Sequence, residues 1–228
     1  MRTLAIGDIH GCSQALRALL DAVKPGPDDW LITLGDYVDR GPDSYGVIEQ
    51  LLGLHRTGRL IALRGNHEEM MLLARESQEK LRCWLECGGK LALRSYSALG
   101  DAGKLADVPD AHWHFLERLC IDWHETDTHI FVHANVCPSL PMDEQLSLML
   151  RWGVLDRARS EPHCSGKLLI CGHTQQRSGL PLNLGHTVCL DTWPYGNGWL
   201  TCLDAATGQI WQANQAGRLR TLWLHEIG

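Results

Sequence analysis

The chain has 228 residues, of which 44% are hydrophobic, and a formal net charge of −6 at pH 7. This is enough apolar material for an ordinary globular core, and no Ser/Gly-rich or charged linker divides it, so we expect one domain over residues 1–228. The acidic balance offers no basic surface to a nucleic-acid backbone or an anionic membrane, which argues against both partners.

The N-terminus and the cysteine pattern are both typical of a cytoplasmic protein. The opening MRTLAIGDIH leads into a strand-like run without the apolar core of a signal peptide, so we expect a cytoplasmic protein. Nine cysteines are scattered and lack paired CxxC spacing, which predicts small buried side chains rather than disulfides. Cys12, just after a glycine, leaves open a nucleophilic thiol in a phosphate-binding turn.

The first third of the chain alternates between two periodicities. Short apolar runs at residues 3–7, 30–35 and 60–65 predict strands, and helical spacing at 13–23 and 44–54 predicts the helices between them. This βαβαβ order favours a parallel sheet with right-handed crossovers. Ligands of such sheets gather beyond the carboxyl ends of the strands.

The rest of the chain falls into two parts. From residue 68 to about 119 the pattern is helical, which predicts a helical insertion over one side of the sheet. Further strands are expected at residues 129–134, 167–173, 186–193, 198–213 and 220–226. We therefore expect an α/β fold in which the βαβαβ core continues into a second, mostly antiparallel sheet with helices outside.

Polar residues follow each of the first three predicted strands. GDIHG places Asp8 and His10 two residues apart, GDYVDRG places Asp36 beyond the second strand, and RGNHE places Asn66 beyond the third. Adjacent parallel strands would bring these carboxylate, imidazole and amide groups into one crevice. Such a mixed O/N set suits borderline divalent metals such as Mn, Fe or Zn.

Asp36 belongs to the middle strand and is therefore the natural bridge between two ions. Two-metal sites with ions about 3.5–4 Å apart are a standard solution for phosphate-ester displacement, in which a shared water becomes a hydroxide nucleophile. Each motif alone is more typical of an ordinary turn or a solvated loop than of a metal site. Three in order, each after an apolar strand, favour a metal site.

The motifs GDIHG, GDYVDRG and RGNHE resemble the N-terminal signatures of the calcineurin-like metallophosphoesterases, in their phosphoprotein phosphatase branch. FVHAN and ICGHT are similar to the two later histidine motifs of that family, so the resemblance spans residues 7–173. RGNHEEMM and the compact length are closer to the bacterial and phage members than to the eukaryotic ones. The resemblance implies an αββα sandwich of two sheets with flanking helices.

The resemblance also implies a cofactor of two divalent ions, with Mn²⁺ expected and Fe or Zn as alternatives. The first ion would be held by Asp8, His10 and Asp36, and the second by Asp36, Asn66, His133 and His173. From the residues alone, His133 and His173 are as typical of capped core histidines as of metal ligands.

Catalytic and substrate-binding roles follow from the same resemblance. His67 would be the general acid that protonates the leaving alkoxide, oriented by Asp39. Arg40 and Arg64 would grip the phosphate oxygens as forked donors.

The chain departs from the family pattern at several positions. In the phage members a third phosphate arginine follows a tryptophan, whereas here Arg151 precedes Trp152, so Arg151 is a candidate and Arg157 its alternative. Asn135 stands after HA, where the family usually has glycine. Trp193 stands after LDT, where relatives often have glycine.

These motifs predict a metal-dependent phosphoprotein phosphatase, acting on phosphoserine or phosphothreonine in proteins or on a small phosphoester. A symmetrical dinucleoside-polyphosphate hydrolase of the same fold is the alternative, because its metal site would look identical. A non-catalytic metal-binding module is a third hypothesis, but it would have lost the acid or the bridging ligand. Trp84 and Trp113 in the insertion are expected to pack rather than to stack on a base. The sequence indicates no oligomeric state.

Overall fold

The structure is a computed structural model that describes residues 1–98 and 100–227, and it begins with the expected βαβαβ unit. Strands β1 (Thr3–Ile6), β2 (Trp30–Thr33) and β3 (Leu60–Ala62) pair in parallel. Helices α1 (Ser13–Val23) and α2 (Ser44–His55) connect them. The three strands end where the sequence places its polar motifs, so the loops that follow them share one edge of the sheet.

The predicted helical insertion is confirmed, although it begins two residues earlier than expected. Its described residues form the α-helices α3 (Asn66–Leu73), α4 (Gln78–Trp84), α5 (Lys90–Tyr96) and α6 (Asp110–His114), together with short π and 3₁₀ turns. The first of these helices begins at Asn66 because the Glu68 carboxylate accepts the backbone N–H of Gly65, 2.9 Å away, and caps the helix.

The second sheet is mixed, so the expectation of a mostly antiparallel sheet is wrong. Its strands in chain order are β4 (Trp123–Glu125), β5 (His129–Val132), β6 (Leu168–Cys171), β7 (Leu182–Asn183) and β8 (Thr187–Cys189). In space β5, β6 and β8 are parallel, and β4 and β7 close the two edges antiparallel. Parallel neighbours need long crossover connections, and the chain provides them here. The crossover from β5 to β6 contains helix α7 (Ser147–Trp152).

The C-terminal strands extend the first sheet rather than the second. Strand β9 (Leu200–Asp204) pairs antiparallel with β1, and β10 (Gln209–Ala213) and β11 (Leu219–Trp223) continue outward. The resulting order is β11-β10-β9-β1-β2-β3. This pairing satisfies the backbone N–H and C=O groups on the side of β1 that does not face β2. The apolar alternation of a strand does not specify which distant strand it pairs with.

The two sheets bury a common core between them. Its members come from both sheets and include Ala5, Ile32, Phe131, Ile170 and Val188. Separate apolar clusters cover the outer faces, one beneath α1, α2 and the insertion and the other beneath α7. The predicted αββα sandwich is therefore confirmed. Within the described residues, no helix has both the length and the hydropathy needed to cross a membrane.

Candidate metal centre

Polar loops from both sheets meet at one end of the sandwich. The predicted ligands follow β1, β2 and β3 in the first sheet and β5 and β6 in the second, and they are Asp8, His10, Asp36, Asn66, His133 and His173. All are buried except His173, which is half-buried. The structure thus brings together residues that lie up to 165 positions apart in the sequence.

Asp36 lies between two groups of histidines. Its Oδ2 is 3.4 Å from Nε2 of His10, and its Oδ1 is 3.4 Å from Nε2 of His133. Potential ligand atoms of Asp36, His10 and His67 all lie within 4.8 Å of one another, and so do those of Asp36, His133 and His173. Each oxygen of one carboxylate therefore faces a different donor set.

Backbone carbonyls fix the orientation of two histidine rings. Nδ1 of His10 donates to the carbonyl of Val38, 3.0 Å away, and Nδ1 of His133 donates to that of Leu34, 2.8 Å away. Because each Nδ1 carries the proton, each Nε2 keeps a lone pair and lies on the side of Asp36. This is how proteins prepare an imidazole to bind a metal.

Asn66, His173 and Asp8 complete the cluster. The side-chain oxygen of Asn66 is 3.1 Å from both Nε2 of His133 and Nδ1 of His173. The backbone N–H of His173 donates to both carboxylate oxygens of Asp8, each 3.1 Å away. A Cβ at Gly172 would overlap the Asp8 carboxylate, so the glycine permits this close approach.

Uncompensated negative charge makes this cluster fit a pair of cations. Asp8, Asp36 and Asp191 are buried, and none has a lysine or arginine ion pair within residues 1–98 and 100–227. Burial and the neighbouring carboxylates of Asp191 and Asp36 hold the pKa of Asp8 well above its usual value. Burial, with a further contribution from Asp36, raises the pKa of Asp191 to about 7. Divalent cations would stabilise these carboxylates as anions.

His67 stands beside the cluster in a chain of hydrogen bonds. Its Nδ1 donates to Asp39 across 2.6 Å, while its Nε2 lies 4.0 Å from Asp36. Trp84 donates its indole N–H to the same Asp39 carboxylate, 2.9 Å away. Burial alone lowers the pKa of His67, but the carboxylates of Asp36 and Asp39 outweigh it and raise that pKa above its usual value.

Trp84, Glu68 and Asp191 belong to this arrangement but were not assigned a functional position from the sequence. Trp84 was expected only to pack, and no local pattern marks its contact with Asp39. Glu68 is buried and accepts backbone N–H groups from Asp36 and Tyr37 at 2.8 and 2.7 Å, in addition to its cap at Gly65. Glu68 therefore ties the loops after β2 and β3 together, and the glutamate three residues after a glycine was the available signal.

The predicted phosphate arginines fall in different surroundings. Arg40 lies at the cluster: one of its Nη atoms is 3.3 Å from Nε2 of His10 and donates to the Tyr195 hydroxyl at 2.9 Å. Arg64 donates to the carbonyls of Glu117 and Cys120, and its buried Nε has no partner among the described residues.

Arg151 is not grouped with the metal-centre residues. Its guanidinium makes ion pairs of 2.6 Å with both Glu69 and Asp122, so its role as a phosphate contact stays a prediction. Arg157 is exposed on a turn. The alternative of a nucleophilic Cys12 loses its support, because this thiol is buried and burial raises its pKa to about 12.

Comparison with known proteins agrees with this geometry. Residues 1–177 match the family model described as calcineurin-like phosphoesterase. The chain is 45% identical over 85 residues to serine/threonine-protein phosphatase 1 of Salmonella typhimurium, covering 37% of each protein. It is 32% identical over 149 residues to the symmetrical bis(5'-nucleosyl)-tetraphosphatase of Pseudomonas putida, covering 65% of this chain and 47% of the relative. The chain therefore matches less than half the length of these curated relatives.

A solved structure extends the likeness to the whole fold. The serine/threonine phosphatase structure from Saccharomyces cerevisiae superposes with a TM-score of 0.62 at 18% identity, covering 98% of this chain and 80% of that one. The family match spans most of the sequence, so the chain belongs to the calcineurin-like phosphoesterases. Members of this family use a dinuclear divalent metal centre, and the two His/Asp groups that share Asp36 lie where one would be held.

The buried Glu68 gives a testable consequence for the scaffold of the site. Glu68→Gln replaces one acceptor oxygen by an N–H₂ group that faces backbone donors, so we expect a loss of about 1–3 kcal/mol in the free energy of unfolding. Urea unfolding followed by tryptophan fluorescence measures it. Glu79→Gln on the exposed first turn of α4 is the matched control and should have almost no effect. Equal stability of both variants would contradict the assigned role of Glu68.

Proposed function

We propose that this protein is a metal-dependent phosphoesterase that hydrolyses phosphomonoesters, with phosphoserine and phosphothreonine in proteins as its substrates. The observation that carries the proposal is the position of Asp36, one carboxylate between two histidine groups with His67 beside it. We also propose that residues 1–228 act as one domain, since both sheets contribute to one core.

In this proposal Asp36 would be a ligand of both ions. Asp8 and His10 would complete one ligand set, and Asn66, His133 and His173 would complete the other. When bound, the ions supply charge stabilisation to the phosphoryl oxygens and lower the pKa of a shared water. The imidazole, carboxylate and amide donors favour Mn²⁺, with Fe or Zn as alternatives.

The protein's own groups would bind the phosphoryl group and move one proton. His67 would give the proton on Nε2 to the leaving alkoxide, and the raised pKa of His67 keeps that proton available. Asp39 orients the ring through Nδ1 and is itself held by Trp84. Arg40 has no carboxylate partner in the described part of the chain, so its N–H groups can pair with phosphate oxygens.

Arg64 and Arg151 have weaker structural support as phosphate contacts. Arg64 keeps a donor at its unpartnered Nε, although its outer nitrogen already serves two carbonyls. Arg151 would have to leave Glu69 or Asp122 to reach a phosphate. We therefore place the main phosphate grip at Arg40.

Hydrolysis of dinucleoside polyphosphates is the second candidate. It is favoured by the Pseudomonas putida relative, which matches a longer stretch of this chain than the Salmonella protein does. Against it, Trp84 and Phe115 of the insertion are completely buried, and the partly buried Trp113 packs against the core with the Arg75 guanidinium over its ring, 4.7 Å from the centroid. The protein phosphatase reading is therefore the one we propose.

The bridging position of Asp36 can be tested by metal content. We expect two divalent ions per chain in Mn²⁺-replete protein, and Asp36→Asn should weaken both sites at once because it removes a charged ligand that they share. Elemental analysis after gel filtration measures the ratio, and excess EDTA should abolish activity. Asp21→Asn on the exposed face of α1 is the control. Two ions retained in Asp36→Asn, or full activity in EDTA, would refute the assignment.

The role of His67 can be separated from metal binding. His67→Asn should lower kcat on alkyl phosphates by roughly 10²–10⁴ while the metal content stays unchanged. The loss should be smaller for p-nitrophenyl phosphate, whose leaving group needs little protonation. Steady-state kinetics on both substrates measures this, with the exposed His114→Asn as control. An equal loss on both substrates, or loss of metal, would mean that His67 is not the acid.

The two candidate substrate classes can be compared directly. We expect kcat/KM for a phosphoserine or phosphothreonine peptide to exceed that for diadenosine tetraphosphate at the same Mn²⁺ concentration, because the insertion does not form a base-binding wall. Phosphate release from the peptide and nucleotide chromatography for the dinucleotide measure the two rates. A much higher kcat/KM for the dinucleotide would favour the second candidate.

A further inference from the structure

The loop at residues 192–199 brings aromatic side chains to the edge of the metal centre. The Tyr195 ring packs edge-on against His10, with ring centroids 4.9 Å apart, and its hydroxyl accepts from Arg40 at 2.9 Å. The Trp193 ring lies next in line, 6.4 Å from Tyr195 and almost perpendicular to it. Both side chains are half-buried, so part of each remains accessible to a ligand.

The backbone holds Trp193 in a costly conformation. Its φ is +63°, in the left-handed region where a bulky side chain is a genuine outlier. The carbonyl of Trp193 accepts from the N–H groups of Gly196 and Gly198, and its own N–H donates to Asp191 at 3.1 Å. A Cβ at Gly196 would overlap the indole. The loop therefore presents this ring in a fixed position, and strain of this kind is concentrated at functional sites.

A cation completes the same surface. The guanidinium of Arg177 lies over the Trp193 ring, 5.6 Å from its centroid, and its Nε donates to Gln175. Gln175 in turn donates to the Tyr195 hydroxyl. Arg177 is exposed, and in residues 1–98 and 100–227 it has no carboxylate partner. A continuous set of contacts thus runs from the proposed phosphate grip at Arg40 out to Arg177.

We infer that Tyr195, Trp193 and Arg177 form a subsite that binds a planar aromatic ring carried next to the phosphoryl group. A ring that extends from a phosphate at Arg40 would meet the Tyr195 side chain first and then the indole, while the guanidinium of Arg177 can stack on its face. The inference rests on the proposed function, because it takes Arg40 as the phosphate grip. Phosphoserine and phosphothreonine carry no such ring, so the subsite would extend the proposed substrates to phosphotyrosine, through its phenol, or to a nucleotide, through its base.

The subsite can be tested by binding, independently of turnover. We would measure dissociation constants of Mn²⁺-loaded protein by calorimetry for phenylphosphonate, methylphosphonate and the phosphonate analogue of AMP, none of which is a substrate for phosphoester hydrolysis. We expect phenylphosphonate or the AMP analogue to bind about tenfold tighter than methylphosphonate. A ratio of this size corresponds to the binding free energy that one stacked ring contributes. A preference for the phenyl ring alone identifies the phenol as the ring source, and a preference for the adenosine compound alone identifies the base.

The decisive variant is Trp193→Gly, which removes the ring and relieves the left-handed strain, so the loop should still form. It should abolish the aromatic preference while leaving methylphosphonate affinity unchanged. Arg177→Ala should reduce the preference, whereas Arg59→Ala should not, although Arg59 also lies over a tryptophan, Trp30, at the start of β2. No aromatic preference in the wild-type protein, or a preference that survives Trp193→Gly, would overturn the inference. Binding without hydrolysis of any phosphoester would refute the proposed function alone.

Discussion

The buried charge of Asp36 is the constraint on which the rest of the site depends. A carboxylate removed from water is costly unless it is paired and hydrogen-bonded. Here the backbone N–H of His67 donates to it at 3.1 Å, but His10 and His133 approach its two oxygens from different sheets with unprotonated Nε2 atoms, so the charge is only partly compensated. The sandwich brings these groups together, because loops at the carboxyl ends of parallel strands in both sheets lie at one end of the molecule. Two bound cations would compensate the remaining negative charge of the buried carboxylates.

Backbone strain is concentrated around the same point. Seven non-glycine residues of the described chain have left-handed φ angles, and six of them belong to the site or its edge, namely His10, Asp36, Asp39, Arg40, His173 and Trp193. Each such residue costs about 1–3 kcal/mol and persists only where the surroundings determine it. The surroundings here are buried: Glu68 fixes the Asp36 loop, and Gly172 admits the Asp8 carboxylate. Stability from the inter-sheet core offsets the strain and keeps the polar groups in place.

Local sequence patterns predicted the elements of the first half of the fold. The arrangement of the second half depends on pairing between strands far apart in the sequence, which such patterns do not reveal. Helix α1 was predicted to the residue because its apolar spacing is regular, and the strand-end position of Asp36 follows from the order of β1, β2 and β3. The partner of β9 was not predicted, since alternation gives a strand its faces but not its neighbour. Short elements such as β4 have too few residues to show a period.

The positions of the candidate site residues were predicted to a similar extent as the fold. Motif residues that follow a strand were placed together in the structure as expected. The contacts of Trp84 with Asp39 and of Arg151 with Asp122 join segments far apart in sequence, so no local pattern could reveal them. Trp193 was noted only as a departure from glycine, and the structure gives that departure a physical meaning through its left-handed backbone.

The most direct measurement of the central claim is anomalous X-ray diffraction from crystals grown in Mn²⁺, with data collected at the manganese edge. If Asp36 bridges a dinuclear centre, the map will contain two peaks about 3.5–4 Å apart, one on the side of His10 and the other on the side of His133, with the carboxylate between them. A single peak, or no peak within coordination distance of Asp36, would contradict the account.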